Sequence, residues 1–288
     1  MSANHYPSGH PNGHPNGHPS GNTEHLLDVL HAIDLTSLDA SDNEASTIAL
    51  ARKGMFPAAN LKPAGAVCVL PDAVGQVAAV CVLPHLVGTL ATVLDGTGVK
   101  AACVAGDFPT VAAPRSVRIA EIAAAADAGA DEIDIVLNRQ LFVSGYRDGN
   151  FADVRSLAGE LQDARRACGD AKLKVILETG EMGSDWEIRR ASRLLLSAGA
   201  DFLKTSTGKT PVGATPEAVR SMAAEIRAYY EKCGRRIGIK VSGGVRSVDD
   251  ALAYRAIVAD ELGEDWLVPS LFRIGASGLV DALVAELF

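Results

Sequence analysis

From Glu24 onward, short segments rich in β-branched residues or alanine alternate with longer segments of helical pattern. The short segments lie near residues 81, 103, 134, 174, 204, 240 and 274, and Ile33–Thr36 adds an eighth. Strands that alternate with helices form a parallel sheet, and eight such units close into a barrel. The alternation therefore predicts an α/β fold, a single (β/α)8 TIM barrel over residues 23–288. A doubly wound open sheet is the alternative, but no G-x-G-x-x-G sequence follows a strand.

The helical segments have recognisable ends. One predicted helix begins after Ser184 and ends at Gly199, and another begins after Thr215 and ends at Gly234. Serine and threonine side chains cap the first turn of a helix, and glycine readily adopts the left-handed conformation that ends one. These ends support the division into strand and helix units.

Two segments do not fit the alternation. Residues 1–22 are a His/Pro/Gly/Asn-rich repeat without periodic apolar residues, which predicts a disordered tail. Residues 66–71 and 79–84 both read Ala-Val-Cys-Val-Leu-Pro. Only one copy can be the second barrel strand, and the distance to the third strand favours the copy at 79–84. The other copy is then an insertion.

Composition argues against several functional classes. The net charge of -8 makes the chain a poor candidate for binding nucleic acid or anionic membranes. No apolar stretch reaches the roughly 18 residues that a membrane span needs, and the N-terminus lacks an apolar signal core. The five cysteines form no C-x-x-C pair, so we expect a reduced, cytoplasmic protein.

Histidine is absent from most of the chain, because all seven histidines lie at or before His85. A Ser-His-Asp triad, a Cys-His dyad or a His-rich zinc site in the barrel is therefore improbable. We expect chemistry that uses lysine, carboxylate or hydroxyl groups.

Charged residues occupy inward positions on four consecutive strands. Alternate residues of a barrel strand point outward to the helices and inward to the barrel, and the apolar neighbours must face the helices. The inward charged residues are Asp134, Lys174, Lys204 and Lys240, with Asn138 and Glu178 sharing that parity. A structural ion-pair network is the alternative, but three lysines around one aspartate would repel each other. The cluster therefore predicts a functional site.

This site predicts a particular chemistry. Crowded ammonium groups in a partly desolvated pocket lower the pKa of a lysine, so that one of them is a neutral amine near pH 7. A neutral amine can attack a carbonyl carbon and form a Schiff base. Surplus positive charge would also attract an anionic substrate. Glycine-rich turns follow the last three strands, where barrels commonly bind phosphate; the turns are Thr207–Lys209, Ser242–Gly244 and Gly275–Gly278.

The segment Asp201–Lys209, which reads DFLKTSTGK, resembles the Schiff-base strand of the deoxyribose-phosphate aldolases, a family of class I aldolases. The resemblance runs from about Asp34 to the C-terminus, through segments in the same order and spacing. It implies a carbon–carbon lyase that reversibly cleaves 2-deoxy-D-ribose 5-phosphate to D-glyceraldehyde 3-phosphate and acetaldehyde. The resemblance implies no metal and no cofactor. A small sugar phosphate and acetaldehyde are then the partners, with neither nucleic acid nor membrane, and we leave a homodimer open.

The resemblance also implies the roles of the inward residues. Lys204 would form the Schiff base, and the charge of Lys240 would lower its pKa. Asp134 would transfer protons together with a water, and Lys174 would orient that carboxylate.

Further residues would contact the substrate. Asp34 and Thr36 would line the substrate pocket. The phosphate would be surrounded by Thr207, Gly208, Lys209, Gly243, Gly244, Ser277 and Gly278.

The chain departs from the family pattern in places. Lys240-Val-Ser-Gly-Gly stands where many members have Lys-Pro-Ala-Gly-Gly, and some members end in a tyrosine that assists proton transfer, whereas this sequence ends at Phe288. These departures concern a turn and the speed of proton transfer, and the same chemistry is expected. Two other functions stay open: a transaldolase-like Schiff-base barrel acting on another sugar phosphate, and a sugar-phosphate sensor without turnover.

Overall fold

The computed structural model of the protein describes residues 19–59 and 74–288. In this part of the chain, eight strands run parallel and form a closed barrel in chain order. The strands are β1 (Ile33–Thr36), β2 (Ala79–Val82), β3 (Lys100–Val104), β4 (Glu132–Val136), β5 (Lys172–Ile176), β6 (Phe202–Lys204), β7 (Gly238–Ser242) and β8 (Phe272–Ala276). Pairing of β8 with β1 closes the barrel, so the predicted TIM barrel is confirmed.

Helices surround the barrel and connect its strands. They are α1 (Pro19–His31), α2 (Glu44–Met55), α3 (Val87–Leu94), α4 (Arg115–Asp127), α5 (Arg139–Phe142), α6 (Phe151–Ala167), α7 (Asp185–Ala198), α8 (Pro216–Cys233), α9 (Val248–Leu262) and α10 (Leu279–Leu287). Short 3-10 turns lie at Pro84–Leu86, Thr179–Glu181 and Glu264–Trp266, and a π-helical turn lies at Val143–Arg147. None of the helices within the described ranges has both the length and the apolar character that crossing a bilayer requires.

The predicted helix ends are those of the structure. The Ser184 side chain accepts a hydrogen bond from the Glu187 N–H at the start of α7, and Gly199 ends that helix at φ 95°. Thr215 caps α8 in the same way, and Gly234 ends it at φ 70°. Both glycines adopt a conformation that side chains with a Cβ rarely take.

The two segments outside the alternation have different outcomes. The second strand is the copy at 79–82, as expected, while the first copy lies outside the described residues. Helix α1 begins at Pro19, inside the segment 1–22 that was expected to be a tail, and the extent of that tail stays a prediction. Val29 and Leu30 in this helix are fully buried against the body, and their packing stabilises the helix. Residues 1–18 lie outside the described part of the chain.

The two faces of the barrel strands have opposite character. The outward residues Ile133, Leu173, Leu203 and Ile239 are buried under the helices. The inward residues of β2 and β3 are small and apolar, namely Ala79, Cys81, Ala102 and Val104. Small side chains on that side leave room for the long charged side chains that the other strands direct inward.

Candidate active site

Seven charged side chains fill the interior of the barrel, and none is more than 4% exposed. They come from β1, β4, β5, β6, β7 and β8, and are Asp34, Glu132, Asp134, Lys174, Lys204, Lys240 and Arg273. The structure thus brings together the four residues that strand parity placed inside. Glu132 and Arg273 also belong to the cluster, although they were not predicted from the sequence.

Asp134 lies at the centre of this cluster. Its Oδ2 atom accepts hydrogen bonds from Lys204 Nζ at 2.7 Å and from Lys240 Nζ at 2.8 Å. Its Oδ1 atom accepts a hydrogen bond from Lys174 Nζ at 3.0 Å. Burial alone would raise the pKa of Asp134, but the three ammonium groups outweigh burial and hold that pKa well below its usual value.

Two further carboxylates are shared unequally among the lysines. Asp34 Oδ2 lies 2.5 Å from Lys240 Nζ and 3.2 Å from Lys174 Nζ. Glu132 Oε2 lies 2.6 Å from Lys174 Nζ. The expectation of three lysines around a single aspartate is therefore wrong, because three carboxylates face four cations when Arg273 is included. Lys174 contacts all three carboxylates and Lys240 contacts two, whereas the structure pairs Lys204 with Asp134 alone.

The pKa values of the lysines follow this unequal distribution. Burial lowers the pKa of each of them, since desolvation disfavours the charged form. For Lys174 and Lys240 the carboxylates outweigh burial, and the pKa rises above its ordinary value. For Lys204 burial prevails, helped by the charge of Lys240 and opposed by Asp134, and the pKa falls below its ordinary value. Lys204 is thus the lysine of the cluster that loses its proton most easily.

A cavity of about 290 Å³ opens at the carboxyl ends of the strands. Its lining consists of Thr36, Leu38, Lys204, Thr207–Lys209, Ser242–Arg246 and Gly275–Ser277. Of the seven clustered residues, Lys204 is the one that reaches this cavity. Asp34 was expected to line the pocket and does not, because it is fully buried and pairs with Lys174, Lys240 and Arg273.

Six of the seven residues expected around a phosphate line the same cavity; the exception is Gly278, which precedes α10. Some of their donors are engaged within the protein. The backbone N–H and the hydroxyl of Thr207 donate to the Glu178 carboxylate, and the Lys209 N–H donates to Thr207 Oγ1. Lys209 Nζ donates to the Leu38 carbonyl at 3.0 Å. These hydrogen bonds stabilise the loop after β6, so the donors that form them are directed at the protein and not into the cavity.

Other donors around the cavity have no partner among the described residues. They are the backbone N–H groups of Gly208, Gly243, Gly244 and Ser277, together with the exposed guanidinium group of Arg246. Gly243 and Gly244 have φ values of 81° and 86°, a pair of left-handed residues. Successive N–H groups in such a turn form a concave anion site, which requires glycine here. Arg246 lies two residues after Gly244 and was not predicted from the sequence.

Glu178 stabilises the loop after β6 by accepting hydrogen bonds from it. It is 2% exposed, and besides Thr207 it accepts a hydrogen bond from the Thr210 hydroxyl at 3.1 Å. Its φ of 58° lies in the left-handed region, which is unfavourable for a side chain of this size. Residues held in such a conformation are often found where the surrounding structure imposes a precise geometry.

A larger cavity, of about 860 Å³, opens at the amino ends of the strands. Glu132 and Arg273 reach it, together with Phe202 and with Leu267–Ser270, but Lys204 does not. The amine with the lowered pKa and the unpaired N–H groups all lie at the other end, which is also where barrel enzymes place their chemistry. The smaller cavity is therefore the candidate active site.

The comparisons with known proteins agree on one family. A model of the DeoC/LacD family aldolases matches residues 37–280. The deoxyribose-phosphate aldolase of Homo sapiens is 37% identical over 274 residues, covering 91% of this chain and 80% of its own length. The deoxyribose-phosphate aldolase of Mus musculus is 38% identical with the same coverage.

Solved structures extend this likeness to the fold. An aldolase named QR15 has a TM-score of 0.68 and 29% identity, covering 90% of this chain and 95% of its own. The deoxyribose phosphate aldolase of Aeropyrum pernix has a TM-score of 0.64, covering 94% of this chain and 98% of its own; at 24% identity it bears on the fold alone. The chain therefore belongs to the DeoC/LacD family of aldolases, in the branch that contains the deoxyribose-phosphate aldolases.

Proposed function

We propose that the protein is a deoxyribose-phosphate aldolase that cleaves 2-deoxy-D-ribose 5-phosphate reversibly, with Lys204 as the Schiff-base residue. The observation that carries this proposal is the position of Lys204. It is buried, its pKa is lowered, and it lines the cavity whose rim presents unpaired N–H groups. An amine of this kind beside an anion site suits a phosphorylated aldehyde.

The covalent step begins on the open-chain aldehyde. The neutral Nζ of Lys204 attacks C1, and a proton moves from nitrogen to the former carbonyl oxygen. That oxygen takes up a second proton and leaves as water, so that a positively charged imine joins Nζ to C1. Lys240 remains charged under these conditions because Asp34 and Asp134 raise its pKa. The lysine that reacts is therefore the one with the fewest carboxylate contacts.

Cleavage then uses the positive imine to accept electrons. The C3 hydroxyl gives up its proton and the C2–C3 bond breaks, so that D-glyceraldehyde 3-phosphate leaves and an enamine remains on Lys204. Protonation of the enamine at C2 and hydrolysis release acetaldehyde and return the free amine. Asp134 lies 2.7 Å from Lys204 Nζ, and we assign it both proton transfers through a water.

The phosphate would be held by the rim of the cavity. The unpaired N–H groups of Gly208, Gly243, Gly244 and Ser277 are the proposed donors, and Arg246 supplies a positive charge. Such contacts lie far from the reacting carbon, so their binding energy can orient the C2–C3 bond over Lys204. Lys174 keeps the role of orienting Asp134, whose Oδ1 it contacts. Thr36 is the proposed contact for the sugar.

The direct test is a cleavage assay with 2-deoxy-D-ribose 5-phosphate, together with condensation using acetaldehyde as the sole donor. We expect both reactions in the unmodified protein and neither in Lys204→Leu. Lys172→Leu is the matched control, because Lys172 is an exposed lysine at the start of β5, and it should keep both reactions. A protein that uses ketone donors but not acetaldehyde would be a different Schiff-base aldolase. A protein that binds the sugar phosphate without turnover would be a sensor.

A further inference from the structure

Two charged residues of the barrel interior have no part in the proposed chemistry. Arg273 and Glu132 lie at the amino ends of the strands, and each is 3% exposed. Arg273 Nη2 donates to Glu132 Oε1 at 2.6 Å, and Arg273 Nη1 donates to Glu132 Oε2 at 3.0 Å. This fork geometry is the strongest form of arginine–carboxylate pair. Burying such a pair has a large desolvation penalty, so a purely structural pair here could be replaced by apolar residues at little loss.

The pair is connected to the reactive end of the cluster. Arg273 Nη1 also donates to Asp34 Oδ1 at 2.5 Å, which leaves Asp34 Oδ2 directed at Lys240. Glu132 Oε2 is shared between Arg273 and Lys174. Arg273 therefore fixes two carboxylates that add to the effect of Asp134 in raising the pKa of Lys174 and Lys240, and neither of these two carboxylates pairs with Lys204.

We propose that Arg273 and Glu132 are positioning residues that determine which of the three buried lysines gives up its proton. The inference rests on the proposed role of Lys204 as nucleophile. Arg273 holds the carboxylates of Asp34 and Glu132 in place. These carboxylates favour the protonated forms of Lys174 and Lys240, whereas Lys204 pairs with Asp134 alone. Arg273 also adds a positive charge to the cluster, which disfavours a proton on Lys204.

Other groups face Lys204 and must be included in its charge balance. Cys81 of β2, Asp134 of β4 and Lys240 of β7 act on Lys204 directly, and Lys174, Asp34 and Arg273 act on those groups in turn. Burial raises the pKa of the Cys81 thiol, so this group stays neutral near pH 7. Cys103, on β3, also has a raised pKa because of burial. The remaining charges are those of the seven clustered residues, so changing one of them changes the balance directly.

The experiment compares two substitutions of opposite charge effect. Arg273→Met removes a positive charge and should raise the pKa of Lys204, so the acidic limb of the kcat/KM profile moves to higher pH. Glu132→Gln removes a negative charge and should move the same limb to lower pH. In general, two charges about 10 Å apart at an effective dielectric constant of about 20 shift each other's pKa by about one unit, and we expect shifts of that order. The double variant should return close to the unmodified profile.

A matched control separates positioning from stability. Arg118 and Glu160 form a buried fork pair of the same kind between α4 and α6, with distances of 2.5 and 2.7 Å. Glu160→Gln should lower the melting temperature without moving the pH profile. Arg273→Lys keeps the charge, so its profile should remain close to that of the unmodified protein.

The outcomes are distinguishable from failure of the proposed function. Trapping the unmodified protein with acetaldehyde and borohydride reports on Lys204 as nucleophile, whatever the variants do. If that adduct forms but the two single variants shift the limb in the same direction, or Glu132→Gln leaves it in place, the positioning role is wrong. Glu132→Gln keeps the shape of the side chain, so it decides the question even where Arg273→Met does not fold.

Discussion

Lys204 and Lys240 are register partners on β6 and β7, and their ammonium nitrogens share one oxygen of Asp134, at 2.7 and 2.8 Å. A single carboxylate oxygen cannot compensate both charges fully. Lys240 has a second carboxylate, Asp34, and Lys204 has none. The pKa of Lys204 is lowered because the side chain is buried and has fewer carboxylate partners than Lys240, and the charge of Lys240 contributes to the lowering.

Replacing Lys240 tests this relationship. Lys240→Leu removes the neighbouring charge and leaves Asp134 Oδ2 to Lys204, so the pKa of Lys204 should rise toward the free-lysine value of about 10.4. Because the neutral amine is the reactive form, kcat/KM near pH 7 should fall by tenfold or more and partly recover at high pH. The measurement is a pH profile of kcat/KM. An unchanged profile would show that Lys240 is not a perturbing charge.

Asp134→Asn should separate proton transfer from Schiff-base formation. The amide cannot take up the C3 hydroxyl proton, so kcat should fall by a factor of about 10² to 10⁴. Loss of this carboxylate also lowers the pKa of Lys204 further, so acetaldehyde should still be trapped on that lysine. Exchange of the acetaldehyde methyl hydrogens in heavy water reports on enamine protonation and should be strongly slowed. Exchange at the unmodified rate would remove Asp134 from this role, and Asp131→Asn is the exposed control.

The phosphate site predicts a large difference between two sugars. Free 2-deoxyribose should be cleaved about a hundredfold less efficiently than its 5-phosphate, since it loses about two charge-assisted hydrogen bonds net. Ser277→Asp places a negative charge on the cavity rim and should remove most of this difference by weakening the phosphorylated substrate alone. Ser270→Asp is the control, because Ser270 lines the cavity at the other end of the barrel. Equal efficiency of the two sugars in the unmodified protein would mean that the rim does not bind phosphate.

Glu178 should prove important for the loop after β6. Glu178→Ala removes the acceptor for the N–H and hydroxyl of Thr207 and for the hydroxyl of Thr210. Leaving such buried donors unpaired costs about 1 to 3 kcal/mol of stability, and KM for the phosphorylated sugar should rise. Thermal unfolding and kinetics with both sugars are the measurements. Glu178→Gln keeps an acceptor and should be milder. Equal loss with phosphorylated and free sugar would mean that Glu178 supports the fold generally and not the phosphate loop.

Much of the fold could be predicted from the alternation of strand and helix segments, and part of the site from strand parity. Asp134, Lys174, Lys204 and Lys240 each have apolar neighbours whose placement under the helices leaves the charged residue inside. Parity applies equally to Arg273, which alternates with two buried residues of β8, so its inward position could have been found. Glu132 stands at the first residue of β4, where a charged side chain is usually solvated, and its burial depends on ion pairs with Arg273 and Lys174.

The partners of the polar side chains near the cavity could not be predicted in the same way. Thr207 and Lys209 were expected to bind a phosphate. Instead, the N–H and hydroxyl of Thr207 donate to Glu178, and Lys209 Nζ donates to the Leu38 carbonyl. These contacts join residues far apart in sequence, so no local pattern reveals them. Asp34 is a second example. It was predicted to line the pocket, but it forms ion pairs with residues of three other strands.

Borohydride reduction in the presence of acetaldehyde, followed by peptide mapping, identifies the lysine that forms the Schiff base. Reduction fixes the imine as a stable two-carbon adduct on the nucleophilic lysine. We expect an adduct on Lys204 at pH 7, and none on Lys240 or Lys174, whose raised pKa values keep them protonated. An adduct on Lys240 or Lys174, or no adduct on any lysine of the cluster, would contradict the proposed role of Lys204.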